Sequence, residues 1–448
     1  MALPPALLTS LAKAPGFIQA DFEAVHAAED QVISIRKNPA KQAVIHADLI
    51  DSAVPWCPHG YYLQERPIFT ADPLFHAGAY YVQEASSMFL WHILNAVFGA
   101  DTENKKVLDL CAAPGGKTTL LLSYFTDGLV VANESIKTRA SILVENTTKW
   151  GMDNVVVTNN DPSHFQKLPA FFDLIVVDAP CSGSGLFRKD PSAVEEWSTD
   201  AVIHCSARQE RILADILPAL TEQGLLVYST CSYSVEENEM IAEWLIHKMD
   251  MEPVFIPVDP TWNIVETAPN GFRFYPNKLK GEGFFIAVFR KKNKAIYNTI
   301  AEHKLTFLNN TEKQAVDQFC SLSDQYVYFK NQETIRVFNT HFQQALQQLA
   351  ANLYIKKAGI AMGALKGKDL VPAHDFALAN FDKDTVQQVA LDALEAMDYL
   401  RKKDFAVEGP KGWVLFTYQN LGLGWAKLLS NRLNNYYPSA WRIRKDSF

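Results

Sequence analysis

Between residues 77 and 292 the apolar positions gather in short, β-branched runs, and the stretches between them carry apolar residues at helical spacing. The runs predict strands over residues 107–110, 129–133, 155–158, 174–178 and 225–229. Runs without polar alternation must be covered on both faces, so they predict a parallel sheet with crossover helices, an α/β architecture. A closing hairpin is expected over residues 272–275 and 283–290. Ahead of this region, a helical stretch over 20–29 and a strand over 31–35 lead into Arg36-Lys37-Asn38-Pro39. Behind it, the basic polar run 290–294 reads as a linker. Short strands near 334–338 and 358–365 and a helix near 385–399 follow.

At 448 residues the chain exceeds what one core usually serves, so several domains are expected. No uncharged apolar stretch is long enough to span a bilayer, and Pro4, Pro5 and Pro15 interrupt the first residues, which do not form an apolar leader. No membrane partner is expected. The six cysteines, Cys57, Cys111, Cys181, Cys205, Cys231 and Cys320, are scattered and form no Cys-x-x-Cys pair. They predict reduced thiols in a cytoplasmic protein, and no metal site. A net charge of −8 excludes a surface basic throughout, so nucleic acid has to be met by local patches. From residue 401 to 448 nine Lys or Arg stand against three acids, interleaved with Trp413, Trp425, Tyr436, Tyr437 and Trp441. A solvated basic face is one reading. The aromatics favour RNA, because they can stack on unpaired bases, and they fit a core equally well.

The first predicted strand leads into Cys111, Ala112, Ala113, Pro114, Gly115, Gly116 and Lys117, followed by a helix-like segment. Small residues at a strand-to-helix turn let a ligand approach the backbone, and the helix start offers free N–H groups. Gly116-Lys117-Thr118 matches the end of a phosphate-gripping loop, but Cys111 takes the place of that loop's first glycine. The nicotinamide fingerprint Gly-x-Gly-x-x-Gly is absent from this loop. A turn without a ligand and a site for S-adenosylmethionine are the further readings. The latter requires an acid at the end of the second strand for the ribose hydroxyls. Glu134 stands there, and Asp161, after the third strand, is placed for the adenine edge.

Two later strands end in Asp178-Ala179-Pro180-Cys181 and in Thr230-Cys231-Ser232. Ligands of open α/β sheets bind beyond the carboxyl ends of the strands, and neighbouring strands lie about 4.8 Å apart, so both thiols are expected to open onto one crevice. A buried cysteine is ordinarily an inert small hydrophobe; two at matching strand ends beside an aspartate point to covalent attack on a base. Carbon 5 of cytosine is too electron-poor to attack a methyl sulfonium, and a thiolate added at carbon 6 makes it nucleophilic. Asp178 is the candidate acid near N3. Spacing leaves open which thiol attacks.

The segments 76–88, 109–117, 178–185 and 228–231, with Arg188-Lys189-Asp190-Pro191, Glu236-Glu237-Asn238-Glu239 and Gly281-Glu282-Gly283-Phe284-Phe285, resemble the NOL1/NOP2/Sun family of RNA 5-methylcytosine methyltransferases. The C-terminal extension, with Gly422-Leu423-Gly424-Trp425, is similar to that of its bacterial ribosomal RNA branch. The resemblance implies a Rossmann-like S-adenosylmethionine-dependent core over 76–292. It implies an N-terminal α/β RNA-binding unit over 1–75, a mixed α/β module over 300–378 and a PUA-like RNA-binding domain over 379–448. It implies that Cys231 attacks carbon 6 and that Cys181 assists release. Cys111 to Lys117, Glu134, Asp161 and Asp178 are then cofactor contacts, with Lys117 close to the reacting centre. Asn133-Glu134-Ser135 lacks the asparagine-proline step of many members. The expected partner is small-subunit ribosomal RNA, free or in the assembled subunit, met by a monomer. Transfer RNA as substrate and a non-catalytic ribosome assembly factor are the alternatives.

Overall fold

The computed structural model describes residues 3–445 except 29–30, 295–296, 321, 368, 384, 410 and 431. Helices Pro5–Leu11 and Gln19–Ala27 precede β1 (Ile33–Lys37), β2 (Ile50–Ala53), β3 (Gly60–Leu63) and β4 (Tyr80–Val82). These strands pair in the order β2-β3-β1-β4, so the sheet runs past residue 75. Glu29, at which the sequence ended the first predicted helix, lies outside the described residues.

The central region contributes β5 (Lys106–Asp109), β6 (Leu129–Asn133), β7 (Val155–Thr158), β8 (Phe172–Asp178), β9 (Leu220–Thr230), β10 (Met251–Pro253), β11 (Val265–Thr267), β12 (Gly271–Phe274) and β13 (Phe284–Lys291). The next are β14 (Thr306–Phe307), β15 (Tyr326–Asn331), β16 (Thr334–Asn339), β17 (Ile355–Ala358), β18 (Ile360–Lys366) and β19 (Asp369–Pro372). The central sheet has the order β11-β12-β13-β9-β8-β5-β6-β7-β17, with β10 also on β13. Strands β5 to β9 pair in parallel and β12–β13 is the expected antiparallel hairpin. From β5 the chain steps outward to β6 and β7 and then returns to β8 on the other side of β5. The ends of β5 and β8 therefore border the switch point at which such sheets bind ligands.

β6 and β7 are buried at every position, which explains their uninterrupted apolar sequences. One face packs Leu120 and Leu121 of helix Gly116–Tyr124 and Leu143 of Lys137–Trp150. The other packs Ile212 and Leu213 of Thr199–Ile216, Ile241 and Leu245 of Glu239–Met249, and Leu346 and Leu349 of Gln343–Asn352. Each such fully buried side chain contributes about 1.5–3 kcal/mol.

Three expectations change. The run 290–294 is not simply a linker: β13 continues through Lys291, whose ammonium donates to the carbonyls of Leu217 (2.9 Å) and Leu220 (2.7 Å) where β9 begins. The single strand expected over 358–365 is two, because β17 pairs antiparallel with β7 of the central sheet while β18 joins the sheet β14-β15-β16-β18-β19. The helix expected over 385–399 is a strand, β20 (Gln388–Ala390), and a helix, Ala393–Arg401. Asp392 caps that helix in a capping box, accepting from the N–H groups of Leu394 and Glu395 while Glu395 accepts from Asp392.

The last sheet, β20-β21-β22-β23, adds β21 (Gly412–Tyr418), β22 (Leu421–Leu428) and β23 (Leu433–Asn435). Trp425 and Tyr437 are buried in its core and are not stacking platforms, whereas Tyr436 is exposed and meets Trp413 edge-on at 4.5 Å. Among the described residues no helix is long and apolar enough to cross a membrane, and no group of His, Cys, Asp or Glu is arranged to hold a metal.

Candidate active site

Leu110 still donates its N–H to the Val176 carbonyl of β8 (2.9 Å), so the chain leaves the sheet at Cys111. Ala112 then donates to the Asn133 carbonyl at the end of β6 (2.8 Å). Gly115, at φ +119°, closes the turn in a conformation that L side chains rarely adopt, and helix Gly116–Tyr124 follows. The Thr118 hydroxyl donates to Oδ2 of Asp109 at 2.6 Å, but Oδ1 of that fully buried carboxylate has no partner among the described residues. Burial pushes the Asp109 carboxyl up to about 7. An unsatisfied buried acceptor costs about 1–3 kcal/mol, a strain expected where a ligand supplies the missing donor.

This loop and the ends of β8 and β9 border a cleft of ≈ 410 Å³. Asp109, Cys111, Ala112, Ala113, Pro114, Gly116 and Lys117 line one part of it; Asp178 and Cys231 line another. Tyr81, Glu84, Arg139, Lys189, Glu282 and Phe284 reach it from elsewhere in the chain. Gly115, Glu134, Asp161 and Cys181 are not among the lining residues. Oε1 of Glu134 accepts from the Ile136 N–H (2.9 Å) and Oε2 stands 3.5 Å from Arg139, which itself donates to the Ala113 carbonyl (2.7 Å). Asp161 caps the short helix Pro162–Lys167 through Ser163 and lies 3.5 Å from Arg211.

Asp178 and Ser229 are register partners on β8 and β9, so the two strands end side by side. Three residues beyond the end of β8 and one beyond the end of β9, the sulfurs of Cys181 and Cys231 stand 3.1 Å apart. The neighbouring Cys231 thiol, together with burial, holds the Cys181 thiol well above its ordinary value. Lys117 Nζ is 2.9 Å from Oδ2 of Asp178 and 4.9 Å from the centre of the Phe284 ring, and the Ser229 hydroxyl donates to Oδ1 of Asp178 (2.8 Å). The Lys117 ammonium is thus committed to a carboxylate across the cleft.

The residues fit S-adenosylmethionine. Asp109 offers an acceptor in want of a donor, Asp178 adds carboxylate near the thiols, and the small side chains of Ala112 and Ala113 admit a ligand against backbone. Asp109, Arg139 and Lys189 were passed over as site residues in the sequence, although an acid closing the first strand was visible there. Tyr81, Glu84, Lys189 and Glu282 fall in segments that carried the resemblance without any role.

Residues 96–290 match the model described as 16S rRNA methyltransferase RsmB/F. Residues 3–85 match the N-terminal domain of 16S rRNA methyltransferase RsmF, and residues 386–443 match the RsmF PUA domain. Ribosomal RNA small subunit methyltransferase F of Psychromonas ingrahamii is 30% identical over 415 residues, which are 86% of this chain and 84% of that one. Its counterpart from an Enterobacter species is 32% identical over 409 residues, 86% and 83% of the two chains. A crystal structure of a methyltransferase homolog protein from Pyrococcus horikoshii, 28% identical, superposes with a TM-score of 0.52 over 64% of this chain and 100% of its own. The chain belongs to the RsmB/F family of methyltransferases, with a Rossmann-like core between an N-terminal domain and a PUA domain of the RsmF type.

Proposed function

We propose that the protein methylates carbon 5 of a cytosine in small-subunit ribosomal RNA, using S-adenosylmethionine and a transient bond from Cys231 to carbon 6. The observation that carries this reading is the pair of sulfurs 3.1 Å apart, one lining the cleft, at the ends of adjacent strands beside Asp178. When bound, S-adenosylmethionine supplies an electrophilic methyl group. Cys231 passes its proton by way of water to N3 and adds its sulfur to carbon 6 of the flipped base, which makes carbon 5 nucleophilic. Asp178, held by Ser229 and Lys117, stabilises the protonated N3 edge while the charge develops. Cys181, whose proton is retained by its surroundings, stands 3.1 Å from the Cys231 sulfur, within reach of it once the adduct has formed. After transfer carbon 5 loses its proton to solvent, the double bond to carbon 6 re-forms as the Cys231 sulfur leaves with its electron pair, and that sulfur takes back the N3 proton, its departure aided by Cys181. The N-terminal unit and the basic C-terminal domain hold the RNA on this reading, in keeping with the ribosomal RNA named for the relatives.

The test uses wild type, Cys231→Ser and Cys181→Ser with labelled S-adenosylmethionine and undermethylated ribosomal or transfer RNA. The 5-methylcytosine is mapped and protein–RNA adducts are sought on denaturing gels. Cys231→Ser is expected to give neither product nor adduct, and Cys181→Ser an accumulating adduct. The reverse pattern exchanges the roles; product only on transfer RNA overturns the substrate; no product on either leaves an RNA-binding assembly factor.

A further inference from the structure

The register of β8 against β9, extended by the Ala179 N–H donating to the Ser229 carbonyl (2.8 Å), brings the two loops side by side, but Cys181 and Cys231 lie beyond that ladder and their sulfurs need a further hold. The residue after each supplies it. The Ser182 N–H and hydroxyl donate to the two oxygens of Glu237, at 2.8 and 2.5 Å, and the Ser232 hydroxyl donates to the second of them at 2.5 Å. Gln209, from helix Thr199–Ile216, adds its amide to the same carboxylate (3.3 Å) and to the Pro180 carbonyl (3.0 Å). Glu237 is completely buried, and neither it nor Gln209 lines the cleft.

We propose that Glu237 is the positioning residue of the thiol pair: its carboxylate clamps the residue following each cysteine and thereby sets the separation of the two sulfurs. The catalytic consequence rests on the proposed function; the clamp itself does not. Its charge also faces Cys181 from the β8 loop, Tyr228 from β9 and Cys205 from helix Thr199–Ile216, with Arg208 of that helix as the nearby cation. Glu237 is therefore a placement device that disfavours thiolate nearby. Glutamine keeps the shape, since its oxygen still accepts from the Ser182 N–H and its amide donates to hydroxyls that can rotate to accept. Alanine keeps nothing.

The experiment measures capture of phenylarsine oxide by the full-length protein, one arsenic bridging both sulfurs with loss of one water, located by peptide mass mapping. Methyl transfer is followed in parallel. Glu237→Ala is expected to slow bridging of Cys181 and Cys231 about tenfold and to lower kcat by a similar factor, with KM for RNA and cofactor unchanged. Glu237→Gln should restore most of both rates and move the rising limb of the pH–rate profile to lower pH, because a negative charge beside the thiols is gone. Should Glu237→Ala fail to fold by circular dichroism, the Ser182→Ala/Ser232→Ala double variant removes only the two hydroxyls and should slow bridging several-fold. Bridging by Glu237→Ala, or by the double variant in its place, within twofold of wild type overturns the clamp. So does a Glu237→Gln variant as impaired as alanine, which would make the carboxylate a chemical participant. Arsenical capture needs no RNA: capture that depends on Glu237 in a protein that methylates no RNA supports the clamp and overturns the proposed function.

Discussion

Gly185 sits where two segments of the site touch, and Gly185→Ala is expected to separate them. Its N–H donates to the Cys231 carbonyl at 2.8 Å. A methyl carbon there would stand 2.4 Å from the Gly283 oxygen and 2.8 Å from the Cys231 oxygen, whereas real contacts of that kind stay beyond 3.0 Å. About 0.6 Å must be found at Gly283, and the atoms that must move are backbone. Phe284, which lies under Lys117, and Cys231 move with them. A shift of about 1 Å at reacting groups costs about 100-fold in rate, so a shift of this size, partly relaxed, predicts a fall in kcat of roughly tenfold, or about 1.4 kcal/mol in the barrier. Overpacking should also destabilise the fold by about 1–3 kcal/mol. Initial rates of methyl transfer at saturating cofactor, paired with urea unfolding, measure both. A variant with wild-type kcat and an unchanged urea midpoint would refute the close approach of these segments.

Other perturbations probe the frame. Asp375 accepts from the Thr148 hydroxyl and pairs with the buried Lys357, so Asp375→Ala should cost about 3–5 kcal/mol in urea unfolding, since it strands a buried ammonium. Burial alone would raise the Asp375 carboxyl, but Lys357 and Arg336 outweigh it and bring the group to about 2. That value is below the unfolded one, so its stabilisation is present above about pH 4 and is lost as the pH falls toward 2; the alanine variant should show a flatter acid limb. Asp109 has the opposite sign: raised by burial to about 7, it contributes most below about pH 4, and its contribution falls away as the pH rises through 7. Asp109→Asn, which cannot ionise, should therefore lose less stability than wild type between pH 5 and 8, by about 1–4 kcal/mol in thermal melts without cofactor. An identical slope would place the charge elsewhere.

The catalytic sheet was legible because its strands are buried on both faces: β6 and β7 begin and end where their apolar runs do. β9 starts earlier than its apolar run, since Leu220 already pairs with Phe172 and the polar Thr221, Glu222 and Gln223 fall in the irregularity before Leu225 pairs with Leu174. The strand-end cysteines were visible, but their separation depends on the register of β8 against β9, which no local pattern encodes. The acids at strand ends were found and their immediate partners were not. Glu134 and Asp161 bind N–H groups two residues onward, a choice of local turn geometry that spacing does not reveal. Val386 and Val389 imitated helical periodicity ahead of Asp392, although Asp392-x-x-Glu395 already marked where the helix begins. Trp425 was open to both readings, base platform and core, because interior and stacking aromatics are the same residue in a sequence; only tertiary packing divides them.

The pairing of β17 with β7 has a meaning beyond architecture. Without that strand, Val155, Val156 and Val157 would form the bare margin of the central sheet, with main-chain donors and acceptors open to any extended peptide. Charge and proline, the usual safeguards of such margins, are absent from this run. The C-terminal arm supplies the safeguard, so a fragment cut between the halves should be prone to self-association even with every residue of the cleft intact. Tyr354 at the head of that arm also hydrogen-bonds Asn159 and Asn160, so the seal holds the turn by which the chain leaves β7 as well as the strand itself.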